Sequence, residues 1–291
     1  MNTTQPARSA RFKGRHLLLV AGGIVTWFGS ALSASAAWVI AAAADNDLVQ
    51  VLKATGVTAV RFDSAAVAVA KAATGDGVLV LADAYPEKTT PLTPALFKEA
   101  RAKKIRLYVE YPSFLPELKC GTPQTLKTGH WGNILERTVV ASDAFGDAFG
   151  DALKKSRILM IHGCHYLPIE AREPHLVVAR VAGYDEALFG LPKENVHPIL
   201  FEHPAGEVLV ATTKLSQFVT ARYAPLDAWE PVWRMILKWA QPDADLDAAT
   251  PAFLRPRCGI AGGCGAQRSP ARCRMVSKVG PSGASLMAGA L

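Results

Sequence analysis

The sequence predicts an open, mostly parallel α/β sheet over residues 37–245, extended at one edge by further strands. Three observations carry this. Short β-rich runs alternate with helical stretches over the first half of that segment. The run 77–81 is apolar at every position, the pattern of a strand buried on both faces. The later strand-like runs follow one another with few helices between them, which predicts the β extension.

In order, 38–41 is a first apolar strand, followed by a helix over 47–54 stopped by Gly56. A second strand spans 58–62, and Asp63 or Ser64 caps an Ala/Val-rich helix running to 73. The third strand is 77–81. Thr93 followed by Pro94 is an N-cap with proline at the first helical position, opening a helix to 103. The fourth strand is 105–109. The pattern loosens over a Pro/Gly-rich stretch, 112–133, and resumes with a strand at 137–141 and a helix to 155 that contains the duplication Asp143-Ala-Phe-Gly, Asp147-Ala-Phe-Gly. Further strands are expected at 157–161, 176–181, 198–202 and 208–212. Asp227 and Glu230 form a capping-box pattern before a helix with Trp229, Val232, Trp233, Ile236, Leu237 and Ala240 on one face, ending before Pro242. Alternation of this kind argues a flavodoxin-like or related sheet in one domain.

The 291-residue chain has a formal charge of +7, which on its face suggests nucleic acid. The charge sits at the ends. Residues 1–36 carry four basic residues and no acid, 251–291 carry six and no acid, and the middle is left at −3. No nucleic-acid partner is expected for such a body. Arg8 to Arg15 followed by an apolar run and Ala34-Ser35-Ala36 reads as an export signal cut before Ala37, placing the body in the periplasm or outside the cell. The alternative is an uncleaved membrane anchor over 17–44, which lacks charge throughout. Residues 246–291, rich in Gly, Ala, Arg and Ser and without periodicity, read as a disordered tail or as out-of-frame translation from 251 onward. Three of the five cysteines fall there, at spacings unlike a zinc site. Cys120 and Cys164 of the body either pair or are buried thiols.

Ligands in open α/β sheets bind beyond the carboxyl ends of the strands. Those positions here hold Asp83, Tyr85, Glu87 and Lys88 after the third strand, and Glu110, Tyr111 and Ser113 at the end of the fourth. Carboxylates beside aromatics hold sugars, or run general acid/base steps when one pKa is raised. The same carboxylates also cap helices or pair with Lys88. Lys214 and the hydroxyls of Thr212, Thr213 and Ser216 meet an anionic group, or Thr212 or Thr213 caps a following helix. His162, Cys164 and His165 lie close in sequence, but such neighbours rarely converge on one ion, so no metal is expected. The phosphate-cradling glycine loops, the G-x-S-x-G elbow and H-E-x-x-H do not occur in the body, and no cofactor is expected.

Segments 77–83 (GVLVLAD), 85–90 (YPEKTT), 107–113 (LYVEYPS) and 208–216 (VLVATTKLS) resemble a class I glutamine amidotransferase-like domain of secreted bacterial proteins associated with glycoside hydrolases. The resemblance implies a flavodoxin-like sheet over most of 37–240, a carbohydrate ligand and a downstream or partner glycosidase domain. Catalytic members carry a cysteine in a G-x-C-x-G elbow; this chain has Glu110-Tyr111-Pro112 where that elbow would fall. The expectation is therefore a module that binds or packs. The alternatives are a glycosidase-linked or other hydrolase using the strand-end carboxylates Asp83, Glu87 and Glu110, with His162 as a further catalytic candidate, and a membrane-anchored surface interaction module.

Overall fold

The computed structural model describes residues 38–55, 57–127, 136–143, 153–161, 164–217, 223–224 and 226–244. The export segment, residues 17–37 of the anchor alternative, the tail, Gly56, most of the helix expected before 155, the tetrapeptide duplication after Asp143, and His162 lie outside them; Trp38–Ala41 of the anchor alternative form a strand.

Alternation in the first half produces β1 (Trp38–Ala41), α1 (Asp47–Thr55), β2 (Ala59–Phe62), α2 (Ala65–Lys71), β3 (Gly77–Val80), α3 (Pro94–Ala102) and β4 (Arg106–Glu110). Each capping signal acts locally. Ser64 and Thr93 adopt extended backbone, and their hydroxyls accept from Val67 N and Leu96 N, satisfying N–H groups that a first helical turn leaves unpaired. Thereafter come β5 (Gln124–Thr125), β6 (Glu136–Val140), β7 (Ile158–Ile161), β8 (His165–Tyr166), β9 (Leu176–Arg180), β10 (His197–Glu202), β11 (Val208–Ala211), β12 (Tyr223–Ala224) and α4 (Leu226–Ala240). The two-residue strands β5, β8 and β12 are too short to leave a pattern in the sequence. α4 begins at Leu226, so Asp227 lies within its first turn instead of preceding it.

The result is α/β, with one mixed sheet of ten strands in the order β12-β7-β6-β9-β10-β11-β4-β3-β1-β2. The block β2-β1-β3-β4-β11 is parallel throughout. From β11 outward every pairing is antiparallel, so the β extension contributes five of the ten strands. β5 and β8 pair separately.

Two cores flank the parallel block. On one face Leu48 and Leu52 of α1 and the Trp229–Trp233–Ile236 stripe of α4 pack on Ile40, Leu79, Tyr108 and Leu209. On the other, Ala68 and Val69 of α2 and Leu96, Phe97 and Ala100 of α3 cover Val39, Val78, Leu107 and Val210. A third cluster, around Val139, Val177 and Ala179, is capped by a loop carrying Ala187. Among the described residues no helix is long and apolar enough to cross a membrane.

β3 and the end of α4 meet at a glycine. A Cβ on Gly77 would lie 2.4 Å from the Ala240 carbonyl oxygen, which is backbone and cannot swing aside. Gly77→Ala is expected to lower stability by about 2 kcal/mol in urea unfolding, the scale of overpacking a tight core.

Candidate functional site

The order β2-β1-β3-β4 reverses direction between β1 and β3. The connections that leave these two strands depart to opposite faces, and the loops separate into a crevice at the carboxyl edge. A cavity of about 450 Å³ lies at that edge, over the end of β1 and between the segments that follow β2 and β3. Its inner wall is apolar, from Val80, Leu81, Ala65 and Leu96, and its polar wall comes from Asp63, Ser64, Asp83, Lys88, Thr89 and Thr93.

Those polar groups are held in place from behind. Asp83 Oδ1 accepts from Ala43 N at 2.8 Å, tying the turn after β3 to the turn after β1. Arg61 pairs with Asp63 and donates to Ala42 O at 2.8 Å. Ser64 Oγ and Thr93 Oγ1 each accept a helix N–H at 3.3 Å, which leaves each hydroxyl its own proton to donate. Lys88 is exposed and makes no ion pair among the described residues. The cavity therefore offers both donors and acceptors around an apolar floor.

Glu110 lies behind this crevice, fully buried, and is the centre of a polar hub. Its Oε1 accepts from Tyr108 Oη and Leu215 N, both at 3.1 Å. Its Oε2 accepts from Ala82 N at 3.1 Å and Ser216 Oγ at 2.8 Å. Asn46, which precedes α1, donates to Ser216 Oγ at 3.2 Å. One side chain thus joins the ends of β3 and β4 to the segment after β11. Burial pushes its pKa up to about 7; the hydrogen bonds from Ser216, Ala82 and Tyr108 and the charge of Lys214 act in the opposite sense.

A second cluster holds the aromatics. Tyr111, fully buried, follows β4 with φ +47°, an uncommon conformation for a bulky residue. Its ring meets Tyr85 edge-on, with centroids 5.0 Å apart. Tyr85 Oη accepts from His165 N at 2.5 Å and lies 3.1 Å from Thr213 Oγ1, fixing the turn after β3 to β8. Burial raises the pKa of both tyrosines. Cys164 Sγ donates to Thr213 Oγ1 at 3.4 Å, and burial pushes this thiol up to about 12, so it stays protonated and weakly nucleophilic. Cys164 and Cys120 are both free thiols.

The residues singled out from the sequence therefore divide. Asp83 and Lys88 line the cavity. Glu110 and Tyr111 are interior, and Tyr85 is half-buried against Tyr111. Ser113 Oγ accepts from Leu92 N at 3.0 Å, Glu87 is exposed, and Lys214 is half-buried near Glu110. No helix follows β11 over 212–217, so neither Thr212 nor Thr213 is a cap: Thr212 donates to Pro198 O at 2.7 Å and serves the sheet, and Thr213 Oγ1 meets Tyr85 Oη. Among the described residues no group of three or more His, Cys, Asp or Glu is placed to hold a metal. The sequence marks Ser64 and Thr93 as helix caps but not as cavity walls. The usable signal is their position, one immediately past β2 and one immediately before α3.

No family model matches the chain, and neither a curated protein nor a solved structure matches it.

Proposed function

We propose that the chain is an exported, non-catalytic, glutamine amidotransferase-like module of flavodoxin-like fold that holds a carbohydrate in the cavity between the segments that follow β2 and β3. The observation that carries this is that cavity of about 450 Å³, with an apolar floor and a wall of hydroxyls, carboxylates and one amine. A saccharide presents the complementary surface, an apolar ring face bordered by groups that both donate and accept. The position after β4, where an amidotransferase elbow would present its nucleophile, is a left-handed residue, but it is a buried tyrosine whose hydroxyl donates to Pro86 O at 3.4 Å. That supports binding without acyl transfer. Basic residues followed by an apolar run at 8–36 support export.

A second reading, hydrolysis, draws on the raised pKa of Glu110, which suits a general acid. Against it, both oxygens of Glu110 are engaged by four donors in a site closed to solvent.

Glycan-array screening of the full chain, followed by calorimetry and a hydrolysis assay on each hit, tests both. The expected result is saturable binding of a saccharide without turnover. Asp83→Asn keeps an acceptor for Ala43 N while removing the charge, and is expected to weaken binding about tenfold, as is Lys88→Met. Turnover that disappears in Glu110→Gln would establish the hydrolase instead, and absence of both binding and turnover would reject both readings.

A further inference from the structure

The loop between β9 and β10 places apolar side chains where solvent would ordinarily select against them. Tyr184 and Phe189 are each 89% exposed and Leu188 is 72% exposed. Scattered exposed apolar residues need no explanation, but three within six positions put an unusual share of apolar surface on one loop.

The loop is held firmly from beneath. Asp185 O accepts from Ile158 N and Ser156 O from Ala187 N, both at 2.8 Å; Leu188 N donates to Ala182 O and Gly190 N to Ala187 O, both at 3.0 Å. Glu186 bridges to Arg157 and pairs with Lys154. Gly183 has φ +129°, and a Cβ there would lie 1.9 Å from Glu186 O, so the turn closes only with glycine. Ala187 is buried in the third core cluster, with Leu191 and Val196 packed beside it. Three apolar side chains are thus displayed on an ordered support, and little further ordering entropy is lost when they are covered.

We propose that this loop is the centre of a twofold contact between two copies of the chain. In an isologous interface the same patch meets itself, so its rim must complement its own charges. The loop and its flanks carry both signs: Arg180 and Lys193 are positive, Asp185 and Glu194 are negative, all four are exposed, and none forms an ion pair among the described residues, which leaves them for opposite charges of a second copy. The area also suits. Three such side chains offer roughly 500 Å² per copy, so two copies bury on the order of 1,000 Å², the threshold for a specific association.

Sedimentation velocity of the full chain from about 1 to about 100 µM is expected to show a monomer–dimer equilibrium. The triple substitution Tyr184→Ser, Leu188→Ser, Phe189→Ser touches only exposed side chains and should raise the dissociation constant at least about a hundredfold, with the circular dichroism spectrum and urea midpoint unchanged. Phe189→Cys should form an interchain disulfide on mild oxidation, because residues near a twofold axis face their own counterparts. A monomer over the whole range, or a dimer indifferent to the triple substitution, would overturn the proposal. So would flotation with phosphatidylcholine vesicles that the triple substitution abolishes while the protein stays monomeric.

Discussion

Replacing Glu110 with alanine is expected to lower stability by about 3–5 kcal/mol, the cost of removing one member of a closed buried polar network. The substitution leaves Ala82 N, Leu215 N, Tyr108 Oη and Ser216 Oγ facing a cavity that the backbone cannot close. Glu110→Gln separates charge from shape. A protonated glutamate can aim its single hydrogen at a hydroxyl and keep a lone pair for the neighbouring backbone N–H. An amide nitrogen has no lone pair to offer. Whichever way the substituted amide turned, Ala82 N or Leu215 N would lose its acceptor, at about 1–3 kcal/mol.

The pH dependence of that loss is predictable in sign. The native pKa of Glu110 is about 7 against an ordinary value of 4.5, so between these values the native state binds more protons than the unfolded chain. The contribution of this group to stability is full below the unfolded value, falls as pH rises through about 7, and is flat above it. Glu110→Gln removes this slope, so the gap between wild type and variant should be widest near pH 5 and narrowest near pH 8. Urea midpoints measured across that range check it. A variant with the wild-type slope would assign the titration to another group.

The parallel half of the sheet is legible because its signals are local. Gly77 to Val80 is apolar at each position, and Ser64 and Thr93 announce α2 and α3 within three residues of the N–H groups that they cap. Strand order is not local, and the cavity depends on it. Only after β1 is known to lie between β2 and β3 do Asp63 and Ser64 join Asp83 and Lys88 around one crevice. Glu110 shows the same limit more sharply. A glutamate at the end of a strand reads alike whether it faces a ligand or the interior. Two of its four donors, Leu215 N and Ser216 Oγ, lie 105 and 106 residues away in sequence. Tyr111 can be proposed as a stacking surface from its neighbours, but only the fold shows its ring turned inward against Tyr85. The antiparallel half is foreseeable as an extension; its size depends on β12 and on pairings across long separations, which carry no periodic mark.

Trp233→Ala is expected to cost about 3–5 kcal/mol, the range for truncating a large aromatic side chain in a packed interior. Trp233 is fully buried on the face of α4 that also carries Trp229, Val232, Ile236 and Leu237, so deletion leaves a void bounded by sheet and helix backbone. Its effect should also reach the polar hub. The Trp233 ring meets Tyr108 edge-on with centroids 5.8 Å apart, and Tyr108 Oη donates to Glu110 Oε1. Without the indole, Tyr108 loses the wall that sets its ring plane, and its hydroxyl no longer has a fixed approach to the carboxylate. A double-mutant cycle between Trp233→Ala and Glu110→Gln should therefore give a coupling energy of about 0.5–3 kcal/mol, the scale for residues that share a partner. Trp233→Phe, which keeps an aromatic wall, should retain most of the pH slope assigned to Glu110, while Trp233→Ala should shift its midpoint. Additivity within about 0.3 kcal/mol would mean that the tyrosine is positioned by the strand alone and that the helix contributes only volume.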